Sequence, residues 1–248
     1  MAIYNFGAGT LWGVPSGTNP TPVQFGVLQE ATVDIKSTNK ELFGGYQYPV
    51  AVGRGTSKIT GKAKFGQLQA SAIAQLFFGQ TPGTTQTTTA NNEAQSVPAV
   101  STYTVTVTNA ATYVSDLGVR YSATGLPLKR VASVSAVGQY SVNTTTGVYT
   151  FYSGDASAAV LISYKYTVST GGQLLSVPNA LIGTAPTFSI TLESVYSTGK
   201  SVLTLNNCIS ESFNFGTKLE DFAIPEFDFA AFADSSGNVM SWNFNDLS

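Results

Sequence analysis

The sequence predicts an all-β protein with one helix, folded as two β units of which the second interrupts the first. Apolar and polar side chains alternate with a period of two in segment after segment, as in strands with one buried and one polar face. Charged residues make up only 10% of the 248, against about 25% in ordinary soluble domains, while apolar residues stay at 43%. Aromatic usage changes abruptly in the middle. The 82 residues from Val97 to Pro178 hold 8 of the 12 Tyr but only one of the 15 Phe, Phe151.

Along the first flank, Ala31, Val33 and Ile35 alternate with Glu30, Thr32, Asp34 and Lys36, which predicts a strand. A loop is expected over Asn39–Val50. A second strand follows, in which Lys58, Thr60, Lys62 and Lys64 form a basic face opposite Ile59, Gly61, Ala63 and Phe65. From Gln67 to Phe78, Leu68, Ala72, Ile73, Leu76 and Phe77 share a stripe at helical spacing, and Gly79 supplies the stop. The Thr-rich run Thr81–Asn92 reads as a flexible approach to the inserted unit.

The insert is bounded by Ser96-Val97-Pro98 and Ser176-Val177-Pro178, dividing the chain into 1–96 plus 179–248 and 97–178. Within it, Tyr103-Thr-Val-Thr-Val, Gln139-Tyr-Ser-Val, Val148-Tyr-Thr-Phe-Tyr and Val160-Leu-Ile-Ser-Tyr-Lys-Tyr are separated by turn formers such as Asn143-Thr-Thr-Thr-Gly147 and Ser153-Gly-Asp155. That spacing predicts a small antiparallel sandwich, immunoglobulin-like in size. Beyond the insert, Phe188, Ile190 and Leu192, and then Met240, Trp242 and Phe244, again alternate with polar residues. In Glu226-Phe-Asp-Phe229 a strand places both carboxylates on one face and both rings on the other.

Composition excludes several chemistries. There is no His, so neither a Ser-His nor a Cys-His nucleophile pair can form, and no His-ligated metal site. The single Cys208 forms no intrachain disulfide and reads as a small buried hydrophobe. The net charge of −2 gives no global basic field for nucleic acid or anionic membranes. No window approaches the roughly 18 apolar residues of a membrane span, and Met1-Ala-Ile-Tyr lacks the layout of a signal peptide. The expectation is a structural protein, not an enzyme, with no cofactor and no metal.

Three motifs test that expectation. Gly53-Arg-Gly-Thr-Ser-Lys-Ile-Thr-Gly-Lys62 fails as a phosphate loop, because five residues separate Gly55 from Gly61 and Ala63 stands where Ser or Thr belongs. Glu226 and Asp228 suit a glycosidase poorly, since i,i+2 side chains on one strand point the same way, about 7 Å apart, instead of straddling a substrate. Asn143-Thr-Thr matches a glycosylation acceptor without any sign of secretion, and Asp234-Ser-Ser-Gly-Asn238 is a turn lacking the carboxylates of a calcium loop.

Charge order is more informative. Lys36 to Lys64 carries six bases and one acid, Glu211 to Ser248 seven acids and one base. The insert is +2 (four bases, two acids) and the flanks are −4 (eight bases, twelve acids). Opposite patches on a chain so poor in charge suit contact between copies, where they set register and orientation.

The segment Glu41-Leu-Phe-Gly-Gly-Tyr-Gln-Tyr-Pro-Val50, then Gly53-Arg-Gly-Thr and Lys58-Ile-Thr-Gly-Lys-Ala-Lys-Phe65 leading into the helix, resembles the tail tube (major tail) proteins of tailed bacteriophages. Phe213-Asn-Phe215 and Ile224-Pro-Glu-Phe-Asp-Phe229 look like the closing strands of such subunits. Ala110-Ala-Thr-Tyr-Val-Ser-Asp-Leu-Gly-Val119 and Gly125-Leu-Pro-Leu128 resemble a module of related tail proteins. The resemblance covers most of the chain, through diffuse motifs.

It implies a tail-tube β-sandwich or barrel subunit carrying an inserted immunoglobulin-like sandwich. Such subunits close into hexameric rings that stack into a hollow tube conducting double-stranded DNA. Their partners are copies of themselves, a tape-measure protein, a tail terminator, baseplate or tip proteins and, in some tails, a sheath. DNA passes only transiently and no membrane is engaged. The setting is the virion tail, assembled in the cytoplasm of the host bacterium. On this reading Glu226 and Asp228 face an acidic lumen that repels phosphates, and Phe43, Tyr46, Tyr48, Arg54, Lys58, Lys62 and Lys64 contact neighbouring subunits, with two places open for the basic face of Lys58, Lys62 and Lys64: lining the same barrel, or meeting acids of an adjacent subunit. The insert is expected outside the tube, since 82 residues would block the channel.

Competing readings are a β-sandwich adhesin or fibre protein binding host glycans through Tyr103, Tyr113 and Tyr121, and a carboxylate glycosidase. A tube subunit of a contractile bacteriocin or secretion device is a variant of the tail-tube reading.

Overall fold

The computed structural model describes Tyr4 and residues 6–246. The chain is all-β with a single short helix. It forms two compact units, one from residues up to Pro82 together with Leu175 onward, the other from Gly83 to Leu174.

The first unit is one large antiparallel sheet. Its strands are β1 (Thr10–Pro15), β2 (Val23–Gln24), β3 (Leu28–Phe43) and β4 (Pro49–Phe65), followed after the second unit by β12 (Thr187–Tyr196), β13 (Gly199–Asn214), β14 (Glu226–Phe232) and β15 (Met240–Asp246). Spatial order is β2-β1-β12-β13-β14-β4-β3. The long β13 pairs with β12 along one side. Along the other it pairs first with β15, Leu205 opposite Met240, and then with β14, Asn207 opposite Phe232.

Period-two alternation puts one face of these strands inside, and that face is filled with phenylalanine. Phe25, Phe65, Phe188, Phe227 and Phe229 are buried in one cluster with Leu11, Ile59, Ile190, Leu203 and Leu205. Their rings meet at centroid distances of 5.4–5.9 Å, as in Phe25–Phe65 and Phe227–Phe229, within the range of favourable aromatic pairs, about 4.5–7 Å. Gly61 lies directly opposite Phe229 in the ladder, and a Cβ there would fall 2.2 Å from the ring. The glycine is what lets this ring lie across β4.

The helix is shorter than its sequence pattern. It runs over Ala70–Ala72 (α1) and widens into a π-helical turn over Ile73–Phe77, closed by Phe78 N–H donating to Ile73 O at 3.3 Å. Ala72, Ile73, Ala74 and Leu76 are buried, but Leu68, assigned to the same stripe, is exposed. Gly79 ends the turn at φ +62°, a conformation that favours glycine.

The expected loop over Asn39–Val50 is instead the end of a hairpin. β3 and β4 stay paired out to Phe43 opposite Pro49, leaving a turn of residues 44–48. From Lys36 to Ser57 only Pro49 is better than exposed, so both faces of this two-stranded arm are bare.

The second unit begins earlier than the composition break. Thr81–Asn92, read as flexible, contains most of β5 (Gln86–Ser96), which pairs with β11 (Ala159–Val168) from Val168 opposite Gln86 to Ala159 opposite Ser96. A run of threonine is β-branched and fits a strand as well as a linker. β7 (Tyr113–Tyr121) lies on the other side of β11. A second sheet has the order β6-β10-β9-β8, from Thr104–Thr106, Val148–Phe151, Gln139–Asn143 and Lys129–Arg130. The two sheets share a core in which Tyr140, Tyr149 and Tyr164 sit fully buried beside Val97, Val119, Val160 and Ile162. Gly83 and Leu174 close the unit by exchanging two backbone hydrogen bonds, at 2.9 and 2.8 Å.

Candidate functional site

Two surfaces of the first unit gather the residues singled out in the sequence. One is the outer face of β3, β4, β14 and the end of β13. Because ladder partners point the same way, Lys62 stands between Thr32 on β3 and Asp228 on β14, and Lys64 between Glu30 and Glu226. Lys62 Nζ donates to Glu226 Oε1 at 2.5 Å and lies 3.8 Å from Asp228 Oδ1. Lys64 Nζ reaches Glu30 Oε2 at 2.6 Å, and Lys58 Nζ reaches Glu211 Oε1 at 3.0 Å. Ser212 Oγ donates to Asp228 Oδ2 at 2.6 Å.

The electrostatics follow from these contacts. The hydrogen bond to Glu226, with Asp228 adding to it, holds the Lys62 ammonium above the ordinary lysine range. The hydrogen bond and charge of Lys64 hold Glu30 below the ordinary carboxylate range. The face carries five carboxylates (Glu30, Asp34, Glu211, Glu226, Asp228) and four ammonium groups (Lys36, Lys58, Lys62, Lys64), so it is nearly balanced in charge. A shallow groove between Thr32, Asp34, Thr60, Lys62, Glu211 and Asp228 runs across it. Among the described residues, no group of three or more His, Cys, Asp or Glu side chains is placed to hold a metal. Glu226 and Asp228 do share one face, but both lie against one ammonium and do not flank an open cleft.

The second surface is the arm. Tyr46 and Tyr48 at its tip are 83% and 79% exposed, and Phe43, Leu42, Val50 and Val52 are exposed beside them. Arg54 lies in the arm and donates through Nε and Nη2 to Ser37 Oγ at 3.0 and 2.7 Å. The sequence-derived set therefore splits in two. Glu226, Asp228, Lys58, Lys62 and Lys64 come together on the sheet face, whereas Phe43, Tyr46, Tyr48 and Arg54 sit on the arm.

No family model matches the chain, and no curated protein does. The geometry stands on its own.

Four members of the charged face, Glu30, Asp34, Lys36 and Glu211, were not among the site residues read from the sequence. Glu30 carried a signal, since it opens the alternation of β3 with the parity of Asp34. Glu211 carried none, because it reaches the face only through the bulge between Ser210 and Ser212.

In the second unit the carboxylates turn inward. Asp116, whose side chain is 4% exposed, accepts from Tyr140 Oη at 2.8 Å, Tyr149 Oη at 3.0 Å and Gly118 N–H at 3.0 Å. Asp155 accepts from Tyr121 Oη at 2.5 Å and Gly138 N–H at 3.0 Å. Glu93 accepts from Tyr164 Oη at 2.6 Å. Burial works to raise the Glu93 carboxyl, but hydrogen bonds from Tyr164, Gln95 and Thr108 outweigh it and hold the group below its ordinary range. Tyr113 stacks on Tyr164 with centroids 5.8 Å apart, and Tyr121 is tied to Asp155. Tyr103 packs against the same core, so all three rings are half-buried.

Proposed function

We propose that this chain is the structural subunit of a phage tail tube: copies close into six-membered rings, and the rings stack into a hollow tube that conducts double-stranded DNA. The observation that carries this reading is the β3–β4 arm. A lone two-stranded hairpin is at best marginally stable in water, and this one has no buried side chain along its outer half. Its exposed Phe43, Tyr46 and Tyr48 are the kind of rigid aromatic anchors that fill a partner's surface. The open outer edge of β3 offers a further row of backbone donors and acceptors for a neighbouring copy.

In this reading the charged face, with Glu226 and Asp228, lines the bore. Lys58, Lys62 and Lys64 lie on it too, each held by a carboxylate of its own chain. An ammonium already paired in this way is a poor ligand for phosphate, so DNA passes without sticking. A tape-measure protein, a terminator and tip proteins are the further partners the reading calls for.

The test is direct. The purified chain, imaged by negative-stain microscopy over a rising concentration series, should form six-membered rings or hollow tubes of uniform width. A chain that stays monomeric by analytical ultracentrifugation throughout the series would sink the proposal.

A further inference from the structure

The inward turn of the carboxylates in the second unit has a counterpart on its surface. Between Gly83 and Leu174 the sequence has three acids, Glu93, Asp116 and Asp155, and four bases, Arg120, Lys129, Arg130 and Lys165. Asp116 and Asp155 are almost fully buried under tyrosine hydroxyls, and Glu93 accepts at both oxygens, from Tyr164, Gln95 and Thr108. All four bases are exposed. Arg130 lies 3.7 Å from Asp116, and the other three meet no carboxylate among the described residues. In the first unit, by contrast, Lys36, Lys58, Lys62, Lys64, Lys200 and Lys218 each have a carboxylate of the same chain at 3.8 Å or less. A unit of formal charge +1 therefore shows solvent its bases, while the core takes up its acids.

The pairing register places these bases. On the outer side of the three-stranded sheet Arg120 stands beside Leu161, and Lys165 stands between Thr89 and Ser115. Leu161 and Lys165 are four residues apart on β11, which sets the two bases roughly 13 Å apart along the strand at about 3.3 Å per residue. Arg120 is bridged to Pro127, and Lys129 follows two residues after that proline. Arg130 turns toward Asp116, so by alternation Lys129 turns away from the core. Around Lys165 the face is made of hydroxyl side chains, Thr87, Thr89, Ser115 and Thr167.

Different polyanions ask for different surfaces. Duplex DNA is read by an element that enters a groove, and single strands stack on exposed aromatic rings. The aromatic residues of these strands, Tyr113, Tyr121, Tyr164 and Tyr166, pack on the core side. An anionic bilayer is held by a cluster of about four to eight bases beside an amphipathic or spanning helix. Spaced cations on a flat, hydroxyl-rich sheet match a chain of sugars with repeated carboxylates. We infer that the outer face of the β5–β11–β7 sheet, extended by Lys129 at its β7 edge, binds an anionic polysaccharide. Arg120, Lys129 and Lys165 meet its carboxylates, and the threonine and serine hydroxyls meet those of its rings. The inference does not depend on the tail-tube reading.

Interferometry of the full chain over immobilised polygalacturonate tests it, with neutral dextran, duplex DNA and phosphatidylserine vesicles in parallel. The chain should bind polygalacturonate and not dextran, and affinity should fall about tenfold between about 50 and about 200 mM salt. Arg120→Glu, Lys129→Glu and Lys165→Glu together should lower affinity by about tenfold or more, with the thermal melt unchanged because all three side chains are exposed. Lys165→Gln alone, which leaves the fold less charge to absorb, should shift affinity in the same direction. Lys40→Glu with Arg54→Glu reverses two bases of the arm and should change nothing, which separates a sited contact from an effect of net charge. Four results would overturn the assignment and leave the tube reading intact: no binding at low salt, binding that survives the triple reversal, equal loss with the arm pair, or tighter binding of DNA or vesicles. Failure to form rings or tubes bears on the tube reading alone.

Discussion

The two units solve the same packing problem with different aromatics, and their charges follow. The first fills its core with Phe rings and keeps its carboxylates outside, paired with lysines across strands. The second fills its core with Tyr rings, and Asp116, Asp155 and Glu93 are drawn inward to receive the phenol hydroxyls. A phenol inside a core must find an acceptor, so each buried Tyr recruits a polar partner. The first core is held by shape. The second is held by shape and by hydrogen bonds that work only in one geometry.

The sharpest way to break the comparison is to empty each core in its own terms. Phe229→Ala should destabilise the first unit by about 3–5 kcal/mol, as large-to-small changes at fully buried aromatics do. Denaturant unfolding followed by tryptophan fluorescence measures it, because Trp12 and Trp242, the only two tryptophans, both lie in that unit. Asp116→Ala should destabilise the second unit by about 2–4 kcal/mol, by leaving the Tyr140 and Tyr149 hydroxyls without their acceptor. The tryptophan-detected transition should stay where it is.

Tyr149→Phe, which keeps the ring and removes one donor, should cost about 1.5–2 kcal/mol in the second unit. A neutral result would mean that ring shape alone holds that core. The mildest probe is alkali. Burial, with the Asp155 hydrogen bond and charge adding to it, pushes the Tyr121 hydroxyl up to about 12. Tyr113, Tyr140, Tyr149 and Tyr164 move in the same direction, burial being the largest cause in each. The folded unit keeps these protons while the unfolded chain releases them from about pH 10 upward. Their contribution is therefore complete below that pH and is lost as pH rises toward about 12. In the first unit burial lifts the Cys208 thiol this way, also to about 12. Thermal melts at rising pH should show the second unit, followed by tyrosine absorbance, falling further than the first.

What was legible in the sequence follows from the same contrast. Alternation in Lys58–Phe65 and Glu226–Phe229 placed the inner and outer faces, because one side of each strand is solvated and the other is not; in Glu30–Lys36 it set the parity, but Ile35 on the inner side is exposed where the arm begins. The pairing of Lys62 with Glu226 and Asp228 was not legible, since register between strands distant in sequence is set by the whole sheet. Thr81–Asn92 and Asn39–Val50 were misjudged for one reason. A strand that buries little, as β5 and the arm do, has no apolar period to reveal it. The helix stripe was overextended at Leu68, where tertiary packing ends before the sequence pattern does.

The bridge between Gly83 and Leu174 has an engineering consequence. Paired residues in an antiparallel bridge stand about 5.5 Å apart, so the second unit leaves and rejoins the chain through what is, for the first unit, a single point. Loop closure penalises the length of an insertion only logarithmically, so the number of residues between Pro82 and Leu175 adds little to its cost. That junction is a docking port for cargo. The spacing of this junction suits replacement of residues 83–174 by a foreign domain with adjacent termini or by a short glycine turn.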